Sequence, residues 1–331
     1  MRKHLPSLLF LLAAAIWGFA FPIQKELAVL PVFTVGSIRY LLAAAFLFLI
    51  LPLLDRLRGN GRHLFSRHGS VICDERGKIT ARRAGLDFTR KELLGGVACG
   101  SVLAVASSLQ QSGIGAGTDS GKAAFITALY VLIVPIIYLC FGKRSPVHVW
   151  VSVGIAVIGF YLLCVKDNLT VEASDLIVLV CSVVFSLHII VIGLFSPGCD
   201  GVRLSCIQFF TAFVISTPIT LIVDGAPDWS LVLECLPGLL YFGICSGGIA
   251  YTLQVVGQGM KGVNPAVASI ILSLESVFGA IGGAVLLGEV MTPKEYVGCG
   301  IVLLAVVLSE INPRGVAEWI KMRKIREKND G

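Results

Sequence analysis

Apolar residues run on along most of this chain without the alternation that marks an element with one wet face. Uncharged stretches occupy 5–24, 93–118, 123–142, 145–165, 176–199, 204–223 and 235–260. Each reaches about 20 residues, the length a helix needs to cross a bilayer. Three more stretches share this character but carry a charge: Arg39 within 27–54, Glu275 within 262–288, and Glu310 near the end of 296–313. The pattern predicts an all-α integral membrane protein with ten transmembrane helices. The first run follows Met1-Arg2-Lys3-His4 and so has the outline of a signal peptide. It is longer than a secretory apolar core of about 7–15 residues, and after Lys25-Glu26 it passes into another apolar segment, so it is read as the first span.

Composition strengthens this reading. Of 331 residues, 56% are apolar and only 15% charged, whereas a soluble domain carries about 25% charged residues. Soluble domains of this total length could not cover their surface with so few. Eight of the ten cysteines (Cys99, Cys140, Cys164, Cys181, Cys206, Cys235, Cys245, Cys299) lie in or beside apolar runs, and no C-x-x-C pair occurs. They read as small packing residues, with no metal or cofactor implied.

Charge gives sidedness. With the N-terminus in the cytoplasm, that side receives Arg2, Lys3, the ten basic residues from Arg56 to Lys91, Lys143, Arg144, Arg203, Lys261 and the six from Arg314 to Lys328. Only Lys25, Lys122, Lys166 and Lys294 fall outside, and Arg39 lies within a span. The positive-inside rule therefore predicts two cytoplasmic termini. Short connections and the lack of an organelle signal point to the plasma (inner) membrane of a bacterium. Segment 55–91 mixes its basic residues with Asp55, Asp74, Glu75 and Asp87. It is read as a solvated loop drawn to anionic headgroups, with a small hairpin over 71–81, rather than as a regulatory or nucleic-acid-binding module. The stretch 318–328 reads as an interfacial helix within a basic tail, 312–331.

The two halves of the chain echo each other. Gly142 precedes Gly154 by 12 residues, and Gly288 precedes Gly300 by 12. Ser145-Pro146 and Thr292-Pro293 each supply an N-cap followed by proline for the first helical position, and Thr292 with Glu295 forms a capping box. Five helices per half is an odd number, so the second copy would enter the membrane inverted. The expected organisation is a first repeat over 5–165, with loop 55–91, and a second over 175–311. Inverted repeats place a transporter's site near midplane between them.

Taken in order, several segments carry a family resemblance: Ile16-Trp17-Gly18, Ile38-Arg39-Tyr40, the stretch from Thr118 to Thr127 leading to Val134-Pro135, Leu274-Glu275-Ser276-Val277-Phe278, and Leu287-Gly288-Glu289. With these the chain resembles a ten-helix member of the EamA-type drug/metabolite transporter superfamily over nearly its whole length. Two departures are Gly142-Lys143-Arg144, where many relatives carry glutamate after the glycine, and the long loop 55–91. The resemblance implies inverted five-helix repeats and movement of small organic metabolites.

Charges in a bilayer core are costly and face a cavity or a partner. Glu275 shares about half of its helix's circumference with Ser269, Ser273, Ser276, Gly279 and Gly283. It is a candidate for substrate contact and proton coupling, or a structural glutamate fixing helix packing. Arg39 could bind a carboxylate through its planar fork, or snorkel and hold a helix end. His188 could shuttle protons or pack by hydrogen bonds. Uncharged polar residues recur at helical spacing: Trp17, Phe21 and Gln24; Ser107, Ser108, Gln110 and Gln111; Ala123, Thr127 and Tyr130; Gln208 and Thr211; Gly243, Gly247, Tyr251, Gln254 and Gln258. Such stripes can be interhelical glue. Five together point to a shared aromatic-lined cavity suited to an amino-acid-like or small amphiphilic solute. The substrate-binding candidates are Trp17, Gln24, Arg39, Gln111, Tyr130, His188, Gln208, Tyr251, Gln254 and Glu275.

No H-E-x-x-H, G-x-S-x-G or P-loop is present. The expected function is secondary transport of a small metabolite, outward, by alternating access. The rival classes are a non-transporting scaffold or receptor and a membrane enzyme on lipid-soluble substrates.

Overall fold

The computed structural model describes residues 4–58, 65–73, 79–118, 120–164, 172–288 and 290–310. Its helices are α1 (Leu5–Glu26), α2 (Val32–Arg58), α3 (Arg90–Gly115), α4 (Ser120–Ala128), α5 (Tyr130–Cys140), α6 (Val147–Cys164), α7 (Ala173–Phe195), α8 (Gly201–Ile219), α9 (Trp229–Glu234), α10 (Leu236–Leu240), α11 (Thr252–Gln258), α12 (Pro265–Leu272), α13 (Glu275–Leu287) and α14 (Pro293–Glu310). Between α10 and α11, Tyr241–Tyr251 winds as a π-helix through Gly243, Gly247 and Gly248. The caps are local chemistry. Asp200, Asp228 and Asn264 accept from the first backbone N–H groups of α8, α9 and α12, and Thr89 with Glu92 forms a capping box on α3.

Among the described residues, eight helical segments are long and apolar enough to cross a membrane, and Val147–Leu163 is a shorter apolar one. Length and composition thus support eight spans and a shorter ninth, and do not confirm the expected ten. The region of the tenth, α14, carries Lys294 and Glu295 in its first turn and Glu310 at its end. A belt of exposed apolar side chains surrounds the bundle, with Leu49, Leu53 and Leu57 on successive turns of α2 and Ile222 82% exposed. Such a surface belongs in lipid.

Contacts between the halves come in matched sets. Helix α1 packs on α13, as α7 packs on α4 and α5. Helix α3 packs on α8, as α2 packs on segment 241–251; α3 also packs on α7, as α1 packs on segment 241–251 and α11. Helix α2 faces α8, and α6 faces α14. Glycines permit the closest crossings. A Cβ on Gly298 would sit 2.6 Å from Leu163 N, and one on Gly18 would sit 2.3 Å from Phe278 Cβ.

The turns anticipated to match do so in part. Gly142 and Gly288 both hold positive φ, at 72° and 67°, the left-handed conformation glycine adopts most readily. Thr292 and Glu295 form their capping box, with Thr292 N donating to Glu295 Oε2 at 2.6 Å and Glu295 N to Thr292 Oγ1 at 3.3 Å. The Ser145 cap does not form. Helix α6 begins at Val147, one residue past Pro146, and Ser145 Oγ is buried without a hydrogen bond.

The loop hairpin is real and longer than expected. Strands β1 (Phe65–Cys73) and β2 (Ile79–Leu86) pair antiparallel, with Phe65 opposite Leu86. The small sheet departs from an otherwise helical fold. Tail 312–331 and its interfacial helix lie outside the described residues, as does Lys166.

Candidate functional site

Two of the predicted spans are broken in mid-course. Helix α4 ends at Ala128 and α5 begins at Tyr130; α12 ends at Leu272 and α13 begins at Glu275. Leu129 stands 13 residues before Gly142, and Glu275 stands 13 before Gly288. The two breaks meet: Tyr130 Oη donates to Glu275 Oε1 at 3.0 Å, with both side chains buried. Discontinuous helices at corresponding positions mark midplane binding sites in many transporters, because freed backbone at membrane depth is tolerated only around protein or a cavity.

A cavity opens beside this contact. It measures about 550 Å³, open solvent at its mouth included. Trp17, Phe21 and Gln24 reach it from α1, Arg39 from α2, Gln110 from α3 and Thr127 from α4. From the other half come Phe185 and His188 on α7, Phe242, Ser246 and Tyr251 on the π segment, and Gln254 on α11. Tyr130 and Glu275 form part of the wall.

The wall is aromatic on one side and amide-rich on another. Trp17 and Tyr251 have ring centroids 4.6 Å apart, and His188 meets Tyr251 edge-on at 5.7 Å. Trp17 Nε1 donates to the Ser246 carbonyl at 3.1 Å, fixing the indole. Gln110 Nε2 donates to Thr127 Oγ1 at 3.2 Å, and Gln24 Nε2 to Gln110 Oε1 at 3.5 Å, tying α1, α3 and α4 together. Arg39 is 4% exposed, with its guanidinium carbon 3.9 Å from the Phe242 ring centre and 5.3 Å from that of Tyr40. It neither snorkels to the surface nor caps a helix end.

Of the ten candidates, Trp17, Gln24, Arg39, Tyr130, His188, Tyr251, Gln254 and Glu275 line this cavity. Gln208 and Gln111 do not. Gln208 Oε1 lies 3.2 Å from His188 Nε2, so it stands behind the wall and orients the imidazole. Gln111 is buried with neither amide atom hydrogen-bonded, while its neighbour Gln110 faces the cavity. Consecutive helical residues point about 100° apart, and a stripe containing both leaves the choice open. Lys122 takes no place in the wall; it pairs with Asp175 at 2.5 Å.

Phe242 and Ser246 join the wall because of the π winding. At α-helical pitch, nine residues put Phe242 opposite Tyr251. The wider turn, about 4.4 residues, returns it to the same side. The glycine-rich run Gly243, Gly247, Gly248 was the sequence trace of that irregularity.

A buried ionic cluster at the other end of the bundle was not anticipated. Arg203, fully buried, donates from Nη2 to Asp55 Oδ2 at 2.7 Å, from Nη1 to Asp200 Oδ2 at 3.0 Å, and from Nε to the Asp87 carbonyl at 2.9 Å. Asp200 N donates to Glu92 Oε1 at 3.0 Å. Asp200 and Arg203, three residues apart at a helix start, hinted at their own pairing; Asp55 lies 148 residues away and could not be assigned. Among the described residues no three histidine, cysteine or acidic side chains gather as a metal site.

An apolar helical bundle with a polar, aromatic-lined cavity between its halves defines a multi-pass membrane protein with an internal site. Residues 173–311 match the EamA-like transporter family. An "Uncharacterized transporter" of Archaeoglobus fulgidus is 26% identical over 300 residues, covering 90% of this chain and 83% of that relative. A protein of known crystal structure shares the fold at a TM-score of 0.70 and 12% identity, over 94% of this chain and 98% of its own. Together these findings support a membrane transporter.

Proposed function

We propose that the protein is a secondary transporter that exports small organic metabolites across the plasma membrane by alternating access, with both termini cytoplasmic. The observation that carries this reading is the meeting of the two broken spans, through Tyr130 and Glu275, on a cavity lined from both halves. The matched contacts between the halves support two inverted five-helix repeats, 5–165 and 175–311, that rock about that cavity. Ten crossings follow if α6 and α14, packed on each other, both span.

The cavity's position supports one state of such a cycle. Trp17 to Gln24 lie in the second half of α1, Arg39 early in α2 and Gln110 late in α3. All lie toward the end that the Lys/Arg count assigns to the outside. At the opposite end Gly257 receives the Phe10 ring, Gly201 meets Val256, and Arg203 holds Asp55 and Asp200. This arrangement corresponds to an outward-facing state with a sealed cytoplasmic side.

Glu275 is the proposed proton-coupling group, its carboxylate bridging the halves through Tyr130. Uptake of a broad panel of labelled metabolites into proteoliposomes, with and without a pH gradient, tests the reading. Saturable flux of at least one small metabolite is expected, and no specific flux for any compound would overturn it.

A further inference from the structure

Among the described residues, Arg39 stands apart from the buried Arg203 and from Lys122, which is partly exposed. Arg203 is met by Asp55, Asp200 and a carbonyl, and Lys122 by Asp175. That is how a low-dielectric interior ordinarily holds a cation. Arg39 is buried nearly as deeply as Arg203, yet it makes no ion pair or hydrogen bond to any described residue, and its Nε is sealed without an acceptor. Its guanidinium lies over rings, 3.9 Å from the centre of Phe242 and 5.3 Å from that of Tyr40. Stacking on a ring holds the guanidinium in place without neutralising it, and leaves the in-plane N–H donors unused. The carboxylate that shares the cavity, Glu275, is hydrogen-bonded to Tyr130 instead. The cavity therefore presents a pre-positioned planar cation beside the apolar surfaces of Trp17, Phe185 and Tyr251.

We infer that this cavity selects a carboxylate-bearing amphiphile, with the acid seated in two parallel hydrogen bonds on the Arg39 guanidinium and the apolar body against Trp17, Phe185 and Tyr251. The inference deepens the transporter reading and rests on it only in treating the ligand as cargo.

Titration calorimetry on the purified full-length protein in detergent tests it with three compounds of one shape: 3-phenylpropanoate, 3-phenylpropanamide and 3-phenylpropylammonium. The acid should bind at least about tenfold more tightly than the amide, as expected for hydrogen bonds to a charged group. Arg39→Gln should erase that preference by weakening the acid far more than the amide. Arg39→Lys, which keeps the charge but not the fork, should lose most of the preference, and it carries the test if the glutamine variant does not fold. Equal affinity for acid and amide, tighter binding of the amine, no measurable acid binding, or an unchanged preference in either folded variant overturns the inference. Flux without acid preference would remove the Arg39 seat and leave transport standing. Arg39-dependent acid binding without flux would do the reverse.

Discussion

Glu275 and Arg203 show how differently two buried charges can be placed. Glu275 touches Tyr130 and lines the cavity, which is the placement its proposed coupling role requires. Glu275→Gln keeps the shape and a hydrogen-bond acceptor for Tyr130. It is expected to fold normally and to reduce pH-gradient-driven flux to background in proteoliposomes; full gradient-driven flux would exclude the coupling role. Arg203 is sealed, so truncation leaves Asp55 and Asp200 as buried charges lacking this cation. Arg203→Ala should cost about 3–5 kcal/mol of stability in chaotrope unfolding. Replacing Arg203 and Asp55 together by apolar residues should cost less than Arg203→Ala alone, since neither charge of that pair is then stranded. Glu275 was legible in the sequence as a costly charge, because it interrupts an apolar run, whereas Arg203 lies between two runs and counted only as a cytoplasmic-side cation. Their partners were not legible: Asp55 and Arg203, or Tyr130 and Glu275, meet only when distant helices pack.

The elements follow local rules that the chain displays openly. Apolar length marks the spans, and Asp200, Asp228, Asn264 and Thr292 each stand where a helix starts. Breaks inside a span are harder to read. Neither Leu129 nor the Ser273-Leu274 turn bears a glycine or proline; at the second break Ser273 Oγ donates to the Ile270 carbonyl, a local bond that competes with the helix. Glycine spacing was suggestive without saying which glycine is structural. Gly298 and Gly300 are two residues apart on α14, but a Cβ on Gly298 meets Leu163 N at 2.6 Å and one on Gly300 meets nothing within 4 Å. Gly298→Ala should therefore destabilise the protein by about 1–3 kcal/mol as α6 and α14 are forced apart. Gly300→Ala should be neutral or stabilising by up to about 1 kcal/mol through helix propensity. Thermal unfolding of the two variants in one detergent checks the contrast.

At the scale of the molecule, the hairpin loop and the cavity lie at separate places in the fold. The loop's strands pair Phe65 with Leu86, and Asp87, which meets Arg203, lies beyond them, so a flexible linker in place of the loop keeps that contact. Replacing 59–84 by such a linker should leave flux unchanged within about twofold if the loop serves only as a charged, headgroup-facing segment. Loss of flux in a folded deletion variant would give the loop a part in transport.

Taken alone, the sequence determined the solvent. A chain with runs this long and this poor in charge can bury its surface only in lipid, and hydrophobic length is a local property that needs no knowledge of the fold. It also supplied the family resemblance and most of the polar residues that reach the cavity. Only the tertiary structure decided which side of α3 faces inward, that π winding brings Phe242 beneath Arg39, and that two broken helices join at Tyr130 and Glu275. These are relations between helices far apart in the chain. They depend on rotation about each helix axis, and adjacent residues differ in that rotation by about 100°. A stripe of polar residues can therefore announce a cavity, while the packing of the opposite half selects which of them line it.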